Sequence, residues 1–140
     1  MKTKPLINCS VILTRPKNQS IELIKKIRAA GGKIIEIPTI KITSRNSLLI
    51  KKSFLNMPTP DIAIFISSNA AIFGSRFITS EQTKIIAIGQ STAKTLKNLG
   101  KKVEIQPKST PNSENLLKHP QLNNVEGLNI VIIRAKNGRK

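Results

Sequence analysis

The sequence predicts an α/β fold, a parallel sheet flanked by helices. Short runs rich in Ile and Val, such as DIAIFI at 61–66 and KIIAIG at 84–89, are too short and too β-branched for buried helices and recur between segments of helical periodicity. Two of these runs pass directly into small polar turns, Ser67-Ser68-Asn69 and Gly89-Gln90-Ser91-Thr92, of the kind that open helices. With 140 residues and a hydrophobic fraction of 39%, the chain can bury a core of ordinary domain size. Regular alternation of strand and helix requires crossover connections, and these make neighbouring strands parallel with helices on both faces.

The elements follow in order. The run CSVIL at 9–13 is the first strand, and the basic residues before it lead into Arg15-Pro16 rather than a cleavage site, so the beginning reads as structure and not as a leader. A helix over 18–30 follows, with Ile21, Leu23, Ile24, Ile27 and Ala30 spaced to face the sheet and Gly31-Gly32 as left-handed caps. Strand 33–37 runs into IPTIKIT at 37–43, where Pro38 and alternating Ile40 and Ile42 give an extended connector instead of another βα repeat. Helix 47–55, strand 62–66, helix 69–77, strand 84–88 and helix 91–99 come next, the last closed by Gly100. Strand 103–106, helix 113–118 and strand 129–134 complete the alternation. Lys136, Asn137, Gly138 and Arg139 then read as a turn towards a helix, so the chain is expected to stop within a βα unit and to leave apolar sheet surface open.

Composition removes several functional classes. The 24 Lys and Arg against 7 Asp and Glu give a net charge of +17, which attracts polyanions in general. The cations are scattered and the aromatics are four Phe, at 54, 65, 73 and 77, without a stacking ladder, zinc-finger spacing or basic arm, which argues against nucleic acid as the partner. Abundant Lys beside many Ile and Asn also fits a compositional bias without any binding surface. One cysteine, Cys9, precludes an internal disulfide, and one histidine, His119, leaves no partner for a metal cluster. No stretch approaches the roughly 18 consecutive apolar residues of a membrane span, so a cytoplasmic protein without membrane association is expected.

The two polar turns are the candidate site. A helix start leaves four N–H groups without intrahelical partners and carries partial positive charge, so it holds a carboxylate or phosphate without needing Lys or Arg. Helix capping alone is the competing explanation, because Ser, Thr and Asn are the preferred caps and each is worth about 1 kcal/mol. No glycine-rich phosphate loop or G-x-G-x-x-G fingerprint follows any strand, which argues against a phosphate-binding flavodoxin-like domain. Asp61 is read as capping or positioning its strand rather than titrating.

Five motifs in order resemble the uroporphyrinogen-III synthase family: VILTRP at 11–16, IPTIKI at 37–42, DIAIFISSNA at 61–70, IIAIGQSTAKTLKNLG at 85–100 and VIIRAKNGR at 131–139. The run AIG-x-x-TA followed by L-x-x-x-G is the most telling. The resemblance runs along the whole chain but covers about the first half of the family's pattern. It implies two flavodoxin-like lobes joined by extended connectors, with 1–36 a fragment of the first lobe, 37–43 the outgoing connector, and 44–140 a second lobe incomplete at its end.

The resemblance further implies a substrate, hydroxymethylbilane, a flexible tetrapyrrole polycarboxylate supplied by the preceding bilane-forming enzyme. Its cyclisation loses water and inverts the last ring, with no cofactor and no metal. Ser67 and Asn69 match the family's F-T-S-x-N turn, with Ser68 and Gly89 beside the same ends. Thr92 matches its I-G-x-x-T-A turn, Arg15 its T-R-P, and Arg134 with Arg139 its R-G…G-R ending. All are expected to hold substrate carboxylates, while for the three arginines a structural ion pair is the alternative. Catalytic groups are not identified. Ile66 stands where the family usually has Thr, Ala135 where it usually has Gly, and no Tyr is present to assist departure of the hydroxyl, so this chain is expected to be a poor catalyst. A non-catalytic basic α/β binding module is the alternative class.

Overall fold

The structure, a computed structural model, describes residues 4–107 and 112–135. The chain divides into two compact units, Met1–Thr43 and Ser44–Lys140.

In the first unit β1 (Ser10–Leu13) and β2 (Lys33–Glu36) form a two-stranded parallel sheet, Ser10 opposite Lys33 and Leu13 opposite Glu36. The crossover between them is α1 (Ile21–Ala29), preceded by a 3₁₀ turn at Lys17–Gln19. One continuous helix over 18–30 is therefore replaced by a turn and a nine-residue helix. The break is at Ser20, which is buried and whose hydroxyl donates to the Pro16 carbonyl at 3.3 Å. The expected sheet-facing stripe is also narrower. Ile27 is buried and Ile24 and Ala30 are half-buried, but Ile21 and Leu23 are exposed. Ile21 lies about 120° around the helix from Ile27, and two strands about 4.8 Å apart are narrower than a helix about 10 Å across. At the end of α1, Gly31 takes the left-handed conformation at φ 87°. Gly32 does not, and is needed for space instead, because a Cβ there would stand 2.8 Å from the Ile27 Cγ2. Beyond β2 the ladder continues irregularly, Ile37 N–H donating to the Leu13 carbonyl at 2.9 Å and Thr39 N–H to the Thr14 carbonyl at 3.0 Å. From there to Thr43 no regular element forms.

In the second unit α2 (Ser47–Leu55) precedes a three-stranded parallel sheet of β3 (Ile62–Phe65), β4 (Lys84–Ala87) and β5 (Ile130–Ile133), in the order β4-β3-β5. Phe65 lies opposite Ala87 on one side and Ile133 on the other. The crossovers are α3 (Ser68–Gly74), extended by a 3₁₀ turn at Ser75–Phe77, α4 (Gln90–Asn98) and α5 (Ser113–Leu117). Period-two alternation sorts the strand residues onto two faces. Ala63, Phe65, Ile85 and Ala87 pack with Ala70, Ala71, Ala93 and Leu96 of α3 and α4, while Ile62 and Ile86 pack with Ile105 and Leu116 on the opposite face. The result is a sheet covered by helices on both sides, as expected.

The strand expected at 103–106 shrinks to one bridge, Ile105 with Ile86. Glu104 explains the shortening. Its N–H donates to the Ile85 carbonyl at 2.9 Å, but the return bond from Ile85 N–H, at 2.7 Å, ends on the Glu104 carboxylate instead of a backbone carbonyl. Pro107 then has no N–H to continue the ladder.

Candidate functional site at the carboxyl edge of the second sheet

Parallel strands bring their carboxyl ends to one edge, and register decides which turns meet there. Phe65, Ala87 and Ile133 are aligned across β3, β4 and β5, so two residues further on Ser67 stands beside Gly89, and one residue beyond Ile133 comes Arg134. Neighbouring strands are about 4.8 Å apart, so the two helix starts and the arginine share one small area. The chain passes from β3 to β4 on one side, bridges outward at Ile105, and only then crosses to β5 on the other side of β3. Strand order thus reverses between β3 and β5. In open α/β sheets such a reversal leaves a crevice outside the strand ends where ligands bind.

The two helix starts differ in chemistry. Ser67, extended at φ −164° and ψ 161°, caps α3 with its own hydroxyl, which accepts from Ala70 N–H at 3.1 Å. One O–H donor remains to it. Ser68 and Asn69, in the first turn of α3, are half-buried. The start of α4 has no side-chain cap. Gly89 is extended there, and the first intrahelical bond is Ala93 N–H to the Gly89 carbonyl at 3.0 Å. The N–H groups of Gln90, Ser91 and Thr92 precede that bond, so they are the orphan donors of this helix and sit at its positive end.

The expected site residues are therefore placed unequally. Ser67, Ser68, Asn69, Gly89, Thr92 and Arg134 belong to one sheet edge, and Arg134 is exposed at the end of β5. Thr92 is only 1% exposed and Gly89 is buried, so what they offer a ligand is the backbone of the turn. Gln90 and Ser91, which sequence reasoning left out of the site, are the exposed residues of the uncapped turn. Their signal was a glycine in the capping position, which leaves the following N–H groups without a hydroxyl partner. Arg15 belongs to the first unit, where it is exposed just past the carboxyl end of β1. Arg139 lies outside the described residues. Asp61 is at the other edge of the sheet. Its carboxylate accepts from Asn129 N–H at 2.8 Å and its N–H donates to the Asn129 carbonyl at 2.9 Å, which pins β5 to β3.

A family model described as uroporphyrinogen-III synthase HemD matches residues 21–140. The chain belongs to the uroporphyrinogen-III synthase family. Relatives of that name are similar along nearly all of it. The Escherichia coli K12 synthase is 25% identical over 138 residues, 94% of this chain and 56% of that protein. The Proteus mirabilis synthase is 27% identical over 138 residues, again 94% of this chain and 69% of that protein. The Synechococcus elongatus synthase is 29% identical over 147 residues, 99% of this chain and 54% of that protein. The chain thus spans between about half and two-thirds of the length of these family members.

Among the described residues no group of three or more His, Cys, Asp or Glu could hold a metal ion, and no helix is long and apolar enough to cross a membrane. Among the described residues, then, the carboxyl edge offers backbone N–H groups, hydroxyls, the side-chain amides of Asn69 and Gln90, and Arg134. Donors of these types are chemically suited to holding anions. None of these described residues is a carboxylic acid, an imidazole or a thiol.

Proposed function

We propose that the chain works in tetrapyrrole biosynthesis as a uroporphyrinogen-III synthase, closing hydroxymethylbilane with inversion of its last ring and loss of water. The observation that carries this reading is the pairing of two helix starts with Arg134 at the reversal of strand order, in a chain of this family. A polycarboxylate suits such an edge. Orphan N–H groups at Gln90, Ser91 and Thr92, the Ser67 hydroxyl, Ser68, Asn69 and Arg134 would hold its acetate and propionate arms.

Catalysis in this reading is mainly positioning. Protonation and departure of the terminal hydroxyl as water leaves an electrophilic exocyclic carbon, and the carbon of the last ring that bonds to it, substituted or free, decides the isomer. Holding the arms fixes which carbon is reached, an effect of geometry and prepaid entropy. The residues 37–43 serve as the connector between parts of two lobes, 1–36 and 44–140. The bilane, which also cyclises unaided to isomer I, is best received directly from the bilane-forming enzyme in the cytoplasm.

The test is incubation of the chain with freshly generated hydroxymethylbilane, followed by separation of isomers III and I. The expected result is a modest excess of isomer III over a protein-free control. Isomer I alone, at the spontaneous rate, would overturn the catalytic reading.

A further inference from the structure

At the opposite, amino edge of the second sheet a cavity of about 340 Å³ lies between α2, the 3₁₀ turn after α3 and the loop into β4. Its volume falls at the small end of ligand sites, about 300–1,000 Å³. Pro60, Ile78 and Thr83 are its buried members, and a bond of 2.7 Å from the Thr83 hydroxyl to the Pro60 carbonyl ties the two loops that lead into β3 and β4. Phe54 and Phe77 wall it, stacked with ring centroids 5.5 Å apart and planes 14° from parallel. Two cations line it as well, Lys51 and Arg76, the guanidinium standing 4.9 Å from the centre of the Phe77 ring. No acid lines it.

An aromatic, mostly apolar interior with two positive charges and no negative one selects by charge complementarity. A neutral apolar molecule leaves both cations unanswered, and a bare inorganic anion leaves the rings facing water. We propose that this cavity binds a small organic anion with an aromatic body, a ring or fused pair of rings bearing one carboxylate. The carboxylate lies against Lys51 and Arg76, and the rings pack on Phe54, Phe77 and Ile78. The Arg76 guanidinium stands over the Phe77 ring within cation–π reach, which keeps that charge beside the aromatic wall. The site is independent of the tetrapyrrole reading, because the cavity opens at the strand ends away from Ser67, Gly89 and Arg134.

The experiment is a two-dimensional amide NMR titration of the 140-residue chain with 2-naphthoate, with neutral 2-naphthamide and inorganic phosphate in parallel. Expected are saturable shifts for naphthoate at Ile78, Thr79 and Thr83, a dissociation constant in about the millimolar range or below, naphthamide about tenfold weaker, and no phosphate response at those amides. Lys51→Gln combined with Arg76→Gln, both on the exposed rim, weakens naphthoate about tenfold, from about threefold for each exposed charge, and leaves naphthamide unchanged. Equal affinity for naphthamide, naphthoate shifts at Gln90 and Ser91 instead, or no saturation would each overturn the proposal. The comparison of ligands on the unmodified chain decides even where a variant is unstable.

Discussion

Gly74 is the last residue of α3, and its missing side chain sets how closely that helix lies on β5. A Cβ built there would overlap Cγ2 of Ile133. The backbone itself accepts alanine, with φ −105° and ψ −25°, so the cost of Gly74→Ala is purely steric. Ile133 is β-branched and fixed in the sheet, so its Cγ2 cannot swing away as the end of a long chain would. Overpacking of this kind costs about 1–3 kcal/mol. Alanine returns about 0.5–1 kcal/mol through helix propensity. Because the overlap is severe and Ile133 cannot yield, the upper part of the overpacking range applies, about 2–3 kcal/mol, and the net expectation is a loss of about 1–2.5 kcal/mol, read by circular dichroism as a fall of about 0.5–1 M in the urea midpoint. Ile133→Ala removes the colliding methyl, so the double variant should be more stable than the sum of the singles predicts by about 1 kcal/mol or more. A Gly74→Ala protein as stable as the parent, or a cycle additive to within about 0.5 kcal/mol, would refute the close approach. The contact also bears on the site, since α3 carries Ser67 at its start and β5 carries Arg134 at its end.

Other outcomes follow from the same geometry. Gly100→Ala is the converse case: its Cβ would meet nothing within 4 Å, but φ is 74°, so a cost of about 1 kcal/mol is expected that Gly100→Asn largely avoids in thermal melts. Leu96→Ala, at a fully buried position between α4 and the sheet, should cost about 2–5 kcal/mol in urea titrations. Ser67→Ala should lower stability by about 1 kcal/mol through loss of the α3 cap and weaken binding of a tetrapyrrole polycarboxylate, with Ser67→Asp restoring the cap but not the binding, measured by melts and calorimetry together. Asp61→Ala should speed amide exchange at Asn129 and in β5 while leaving β4 protected.

The parts of this fold that were legible in the sequence are those decided locally. Ile-rich runs of four or five residues gave five strands at their proper places, and Ser67, Gly31 and Gly100 gave the helix ends, because a cap or a left-handed residue is a contest between a few neighbouring atoms. What was not legible depended on partners distant in sequence. Ile21 and Leu23 carry a helical apolar pattern, and only the width of the two-stranded sheet leaves them exposed. Segment 103–106 alternates apolar and polar residues as a strand would, and the Glu104 carboxylate taking the Ile85 N–H, with Pro107 after it, holds it to a single bridge. Gly32 looked like a second cap until the position of Ile27 gave it a different role.

The same distinction applies to the candidate site, and it reorders the residues. Side-chain chemistry nominated Thr92, yet it is buried and offers a ligand the start of its helix, whereas the helix behind Ser67 spends one of its donors on its own cap. An anion arriving at this edge therefore finds its most available donors at Gln90 and Ser91, where a glycine stands in the capping position. If that is the stronger half of the site, replacing Gly89 with Ser should weaken polycarboxylate binding while stabilising α4, because the new hydroxyl would occupy the donors that the ligand needs. Calorimetric titration with a tetrapyrrole polycarboxylate, alongside thermal melts, separates the two effects. Tighter binding in the Gly89→Ser chain would show that side-chain hydroxyls, and not orphan backbone donors, hold the ligand.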